Sequence, residues 1–156
     1  MFTRRISRLV LMWATPCLLA AGVAILSVPA EANEISWRTT GTRSTHDGNH
    51  YTHEGTSVFM NGEEAHIRVE GTVGEKSTAE DGTAVAQTVF VFKDGSSFTL
   101  KFVSIWTRGI SRNAGIFMGG TGRFAGMTGS GTAIVEKPSG GPPVTVWTGS
   151  YELAAQ

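Results

Sequence analysis

An all-β fold, an eight-stranded antiparallel up-and-down β-barrel, is what this sequence predicts, and three observations predict it. Beyond the first thirty or so residues no segment has the periodicity or composition of a stable helix. Short runs rich in β-branched and aromatic residues recur instead, at intervals of ten to fifteen residues, punctuated by Gly, Asp and Asn. The runs are even in number and joined by short connections, so the last can close on the first and leave no exposed edge.

The strands are expected at 35–45, 50–61, 65–74, 83–93, 97–107, 113–119, 128–136 and 144–153. The first two are separated by Asp47-Gly48-Asn49, and the second and third by Asn61-Gly62. Asp-Gly and Asn-Gly supply the positive φ that tight hairpins need. The third run sets His66, Arg68, Glu70 and Thr72 on one face, with Ile67, Val69 and Val73 on the other. The fourth enters after Glu80-Asp81-Gly82 and leaves at Asp94-Gly95. The fifth shows which face is buried, because Phe98, Leu100, Phe102 and Trp106 alternate with Thr99, Lys101 and Val103. Its inward partners on the fourth run are either Val89 and Val91 or Phe90 and Phe92. A two-residue turn at Asp94-Gly95 selects the valines and one extra loop residue selects the phenylalanines. The sixth and seventh runs flank a glycine-rich segment, and the eighth follows Pro138-Ser-Gly-Gly-Pro-Pro143.

The N-terminus reads as an export signal. Arg4, Arg5 and Arg8 precede an apolar stretch from Leu9 to Leu26, and small residues at Val28-Pro29-Ala30 and Ala30-Glu31-Ala32 suit a signal peptidase. Pro16 interrupts the stretch as a membrane span. Arg4-Arg5 raises a twin-arginine route, but Ser7 stands where a bulky apolar residue is usual, and Cys17 lacks a lipoprotein cleavage box. The expectation is a cleavable signal over 1–32, a single barrel domain over 33–156, a periplasmic or extracellular location, and no membrane anchor after cleavage.

Cleavage takes three arginines and Glu31 from the 13 basic and 13 acidic side chains, leaving 10 against 12. Such a surface has no basic stripe for phosphates, so nucleic acid is not an expected partner. The only cysteine departs with the signal, so the domain must hold together through its core. Its 124 residues, 156 less 32, bury roughly two-thirds of the unfolded surface, enough for one domain.

The run 119–131 contains six glycines, and Gly120-x-Gly122-x-x-x-Gly126 has the look of a phosphate-binding turn. That chemistry needs a helix after the glycines, and Met-Thr-Gly-Ser-Gly-Thr-Ala-Ile-Val cannot open one. A tight turn between strands is the better reading. Gly119-Gly120-Thr121-Gly122-Arg123-Phe124, with Gly126 and Gly129 behind it, resembles the corresponding turn of the dirigent proteins and allene oxide cyclases. The resemblance covers about a tenth of the chain. It implies an eight-stranded antiparallel barrel and, by analogy, a homo-oligomer. Plant cyclases of this kind use a buried glutamate and dirigents use acidic and arginine side chains, but no flanking motif carries either set onto this chain.

Several side chains are candidates for chemistry. A three-residue hairpin at Asp47-Gly48-Asn49 would set His46 beside His50, with Asp47 able to add a carboxylate, while His53 points to the opposite face. Two histidines fall short of the three protein ligands a metal site usually needs, so no metal or other cofactor is expected. Arg68 and Glu70 suit a solvated outer face; turned into a barrel mouth, Glu70 would be a candidate general base positioned by Arg68. Trp106 ends the apolar face of the fifth run, where with Phe102 it could line a cavity. Ordinary core packing is the plainer role for the three tryptophans of the domain, Trp37, Trp106 and Trp147. Ser57, Ser104 and Ser130 lack a histidine–acid constellation. The leading expectation is a small apolar or aromatic ligand held in the barrel by Trp106, Phe102, Arg68 and Glu70. The alternatives are a cofactor-free cyclase or isomerase using Glu70, and an oligomerising interaction module.

Overall fold

The computed structural model describes residues 32–154, apart from the side chain of residue 42; the expected signal at 1–32 lies almost wholly outside them. Eight strands, β1 (Asn33–Asp47), β2 (His50–Phe59), β3 (Glu64–Val73), β4 (Gly82–Phe92), β5 (Ser97–Thr107), β6 (Ile110–Thr121), β7 (Thr128–Glu136) and β8 (Val144–Glu152), form a closed barrel in chain order. Every neighbouring pair is antiparallel, and β8 closes on β1 with Trp37 opposite Trp147. A 3-10 turn at Gly122–Phe124 is the one helical element among the described residues.

The hairpins set the registers. Phe92 N–H donates to Ser96 O at 3.0 Å around the loop Lys93-Asp94-Gly95, so the loop has three residues and Phe90 pairs with Phe98. The phenylalanines therefore face inward and Val91 is exposed. Gly95 supplies the φ of +81° that this loop requires, and Asp94 accepts from Ser96 N–H at 2.9 Å. The β1–β2 turn has two residues instead, pairing Asp47 with His50 and His46 with Tyr51. His46 and His50 consequently fall on opposite faces rather than side by side. β6 begins earlier than the sequence pattern suggests, because Arg108-Gly109 makes a two-residue turn with both φ angles positive, +52° and +72°. Residues 74–81 support that turn, Asp81 accepting from Arg108 N–H and Glu80 O from Gly109 N–H.

The barrel interior divides in two. The end carrying the β2–β3, β4–β5 and β6–β7 connections is filled by aromatic rings. Phe98 is fully buried, its ring centroid 4.4 Å from Phe90, 5.1 Å from Phe124 and 5.6 Å from Phe117. Trp37 stacks on Trp147 at 5.5 Å and on Phe59 at 5.6 Å. Each such side chain contributes on the order of 2–3 kcal/mol through burial, with edge and stacking contacts adding to it.

Arg123 locks the glycine-rich turn across this packed end. Its guanidinium meets Glu63 at 2.7 Å and Asp94 at 3.6 Å, and lies 4.7 Å over Phe92 and 4.9 Å over Phe124. The Arg123 hydrogen bond holds the Glu63 carboxyl below its ordinary value, and the Ser96 hydroxyl does the same for Asp94. One residue thus ties together three connections, and a phosphate is not needed to explain the glycines around it.

Candidate functional site

The other half of the barrel is hollow. A cavity of about 470 Å³ lies above Phe90, Phe102 and Trp147 and reaches the end carrying Pro142 and Pro143. Phe102 meets Trp147 edge to face at 5.4 Å, which gives the cavity an aromatic floor. It stays open because the inward positions above the floor are small or polar: Thr39, Gly41 and Ser44 on β1, Thr88 on β4, and Ser104 on β5 opposite Asn113 on β6.

A bulge in β1 shapes the wall. Pairing with β2 slips between Gly41 and Arg43, so inward alternation passes from Trp37, Thr39 and Gly41 to Ser44 and His46. Ser44 Oγ then lies 2.7 Å from His53 Nδ1. The Cε1–Nε2 edge of the imidazole occupies the space over Gly41, where an added Cβ would fall 1.7 Å from His53 Cε1. Burial pushes the His53 pKa down, which keeps the ring neutral near pH 7. Tyr51, the preceding inward position on β2, packs across Gly71, and burial raises its phenol pKa.

The cavity wall has unmet hydrogen-bonding capacity. Thr39 and Ser57 share a hydrogen bond at 2.7 Å, and Ser104 and Ser111 share another at 3.0 Å. The side-chain hydroxyls of Tyr51, Thr88 and Thr145 have no hydrogen-bond partner among the described residues. Asn113 is 8% exposed and its Oδ1 is buried without a partner. An orphaned buried amide oxygen costs roughly 1–3 kcal/mol. No Asp, Glu or Lys lines the cavity among the described residues. Arg43 borders it along the strand, opposite Glu54, where alternation sends both side chains outward.

The residues singled out in the sequence meet only in part. Phe102 is in the cavity floor. Trp106 has the same inward alternation but sits one step beyond the cavity, its indole over Gly82 and its Nε1–H donating to Thr78 O at 2.9 Å. Arg68 and Glu70 are on the outer wall, paired with each other at 2.9 Å, because Ile67, Val69 and Gly71 take the inward positions of β3. Glu70 is therefore outside the cavity and cannot serve there as a base. The described residues contain no cluster of three or more His, Cys, Asp or Glu able to hold a metal. Sequence reasoning missed the Ser44–His53 pair, whose signal was only the phase of His53.

A second concavity, about 1010 Å³, lies on the outer wall over β5–β8. Val103, Ile105, Ile110 and Ile134 border it, each between 43% and 64% exposed. Val85 extends this apolar face onto β4 through its pairing with Val103, and Val146 continues it beside Ile134. An open apolar surface of this kind suits a macromolecular contact better than a small ligand. No described helix is long and apolar enough to cross a membrane.

No family model and no curated protein matches this chain. Among solved structures, it is similar to the crystal structure of a protein of unknown function from the DUF3224 family of Shewanella oneidensis MR-1. The two share 18% sequence identity with a TM-score of 0.54, over 80% of this chain and 100% of that one. At this identity the similarity concerns the fold alone.

Proposed function

We propose that this protein is an exported, dirigent-like barrel that binds a small, neutral, apolar or aromatic molecule in its interior. The observation carrying this reading is the half-filled barrel: a cavity of about 470 Å³ with an aromatic floor and unpaired polar groups on its wall. Ligand sites typically occupy roughly 300–1,000 Å³ and combine an apolar body with a few orienting polar groups. The Phe90–Phe102–Trp147 floor would take the flat part of the guest, while Asn113 and the free hydroxyls would meet its polar atom. The late glycine-rich turn supports the dirigent-like placement, and the charged, arginine-bearing start supports export.

N-phenyl-1-naphthylamine, a neutral dye that brightens in apolar surroundings, tests the reading. Titration is expected to give a Kd on the order of 10 μM, as follows from ~0.4 kcal/mol per heavy atom for a ligand of this size. Ser104→Trp, which fills the cavity from β5, should weaken binding about tenfold or more, a loss of ~1.4 kcal/mol, while the β-sheet circular dichroism persists. Equal binding by both proteins would move the dye to another surface and remove the cavity from the account.

The outer apolar face favours a second reading, in which two or more copies associate through β4–β8. Light scattering after gel filtration should then report a multiple of the chain mass. Ile105→Glu combined with Ile134→Glu should return the protein to a monomer, since each places a carboxylate in the contact. A monomer at about 100 μM, well above the Kd of a stable homo-oligomer, would reject association.

A further inference from the structure

We propose that the barrel is catalytic, with His53 as the general base that enolises a neutral ketone or aldehyde held on the aromatic floor and Tyr51 as the hydrogen-bond donor to its oxygen. The inference rests on the cavity being a binding site and adds a reaction to it. His53 and Tyr51 are the titratable side chains that alternation turns inward on β2, and both border the cavity. A general base is useful when neutral at the working pH and fixed in orientation, and His53 meets both conditions. Its ring is held by Ser44 at Nδ1 and by the space that Gly41 leaves open. With Nδ1–H donating to Ser44 Oγ, the lone pair resides on Nε2, which has no hydrogen-bond partner among the described residues.

The charge pattern selects the substrate class. Around His53, β1 presents Ser44, Gly41 and, nearer the rim, His46, which stacks on Tyr51 at 6.0 Å between centroids. β3 presents Val69 opposite His53, with Arg68 and Glu70 turned outward. On β2 itself, Tyr51 faces inward and Glu54 outward. Among the described residues no ionised side chain faces the imidazole, so a charged guest would be buried without a counter-charge. A carbonyl oxygen suits the unpartnered Tyr51 hydroxyl, and burial keeps that phenol protonated as a donor.

The step balances without a cofactor. Nε2 of His53 takes the proton from the carbon next to the carbonyl. The C–H electron pair forms the carbon–carbon double bond, and the carbonyl π pair moves to oxygen, where the Tyr51 hydroxyl donates to the enolate. The imidazolium then returns a proton to carbon, or a deuteron after exchange with heavy water.

2-Tetralone in deuterium oxide provides the test, with α-hydrogen exchange followed by NMR and binding followed by displacement of N-phenyl-1-naphthylamine. The protein should accelerate exchange about a hundredfold over buffer, and His53→Gln should abolish the acceleration while 2-tetralone still displaces the dye. The rate should rise with pH through a pKa below the ordinary imidazole value and then level off, because only neutral His53 accepts the proton. Ser44→Ala, which removes a positioning residue, should lower the rate and move that pKa; Tyr51→Phe should lower the rate without moving it to the same extent. Exchange no faster than in buffer, or equal in wild type and His53→Gln, would overturn the proposal. Failure of 2-tetralone to displace a bound dye would overturn it too, with the cavity intact as a binding site. Failure of the dye itself to bind would overturn both readings.

Discussion

Phe98→Ala is expected to cost about 3–5 kcal/mol of stability, the range for truncating a fully enclosed phenylalanine. Phe98 is 0% exposed, and its ring touches six others, from Phe90 at 4.4 Å to Trp37 at 6.4 Å. Those rings come from four strands and the 3-10 turn, each held by sheet pairing or by the turn, so they cannot collapse far into the space. A domain of this kind has roughly 5–15 kcal/mol in hand. The variant should therefore unfold at a much lower urea midpoint with an unchanged slope. A loss under about 1.5 kcal/mol would mean that the cluster repacks, and that its closeness is not what stabilises this end.

Gly120→Ala is the second large effect, expected at about 3 kcal/mol because the collision is with backbone as well as a side chain. A Cβ at Gly120 would lie 2.2 Å from Ser97 O and 2.8 Å from both Phe124 Cβ and Phe124 O. Gly120 pairs with Phe98, so the space it leaves is what lets the 3-10 turn fold beneath the strand and seat Phe124. Gly95→Ala is the internal control. Its φ of +81° is unfavourable to alanine, but nothing lies within 4 Å of the added atom, so about 1 kcal/mol is expected. Chemical unfolding of the pair checks this; similar losses would show that the strand and the turn shift to admit the methyl group, so that close approach is not what requires glycine at 120.

Much of the architecture was legible in the sequence because period two and turn chemistry are local signals. The alternation over 97–107 identified the inward face, and Phe102 indeed falls on the cavity floor. The Asp94-Gly95 register was not legible, since a single loop residue decides between the valine and phenylalanine faces of β4. The start of β6 was missed because arginine at positive φ is a poor local turn signal, and the support comes from residues 74–81. The candidate site was legible only in fragments. Trp106 obeys the same alternation as Phe102, but distance along the barrel axis separates them, and alternation does not report that distance. Arg68 and Glu70 fall on the outer wall rather than in the barrel mouth, a choice the alternation of β3 alone left open. The Ser44–His53 contact depends on the bulge between Gly41 and Arg43, which reverses the phase of β1 for reasons that lie in its pairing with β2. No periodicity in β1 alone predicts it.

The pairing of β1 with β8 has a consequence for how the molecule comes into being. Ser36 donates to Trp147 O across 111 residues of chain, and the whole seam joins the first strand to the last. Contacts so distant along the chain are slow to form, because most of the polypeptide must be ordered before they repay its lost entropy. The seam therefore cannot form until β8 has left the ribosome, and the unsealed sheet has two bare edges competent to pair with a stranger. A cell making this protein has to protect an open curl before it owns a barrel. The half-built form, rather than the finished one, is the state most exposed to aggregation.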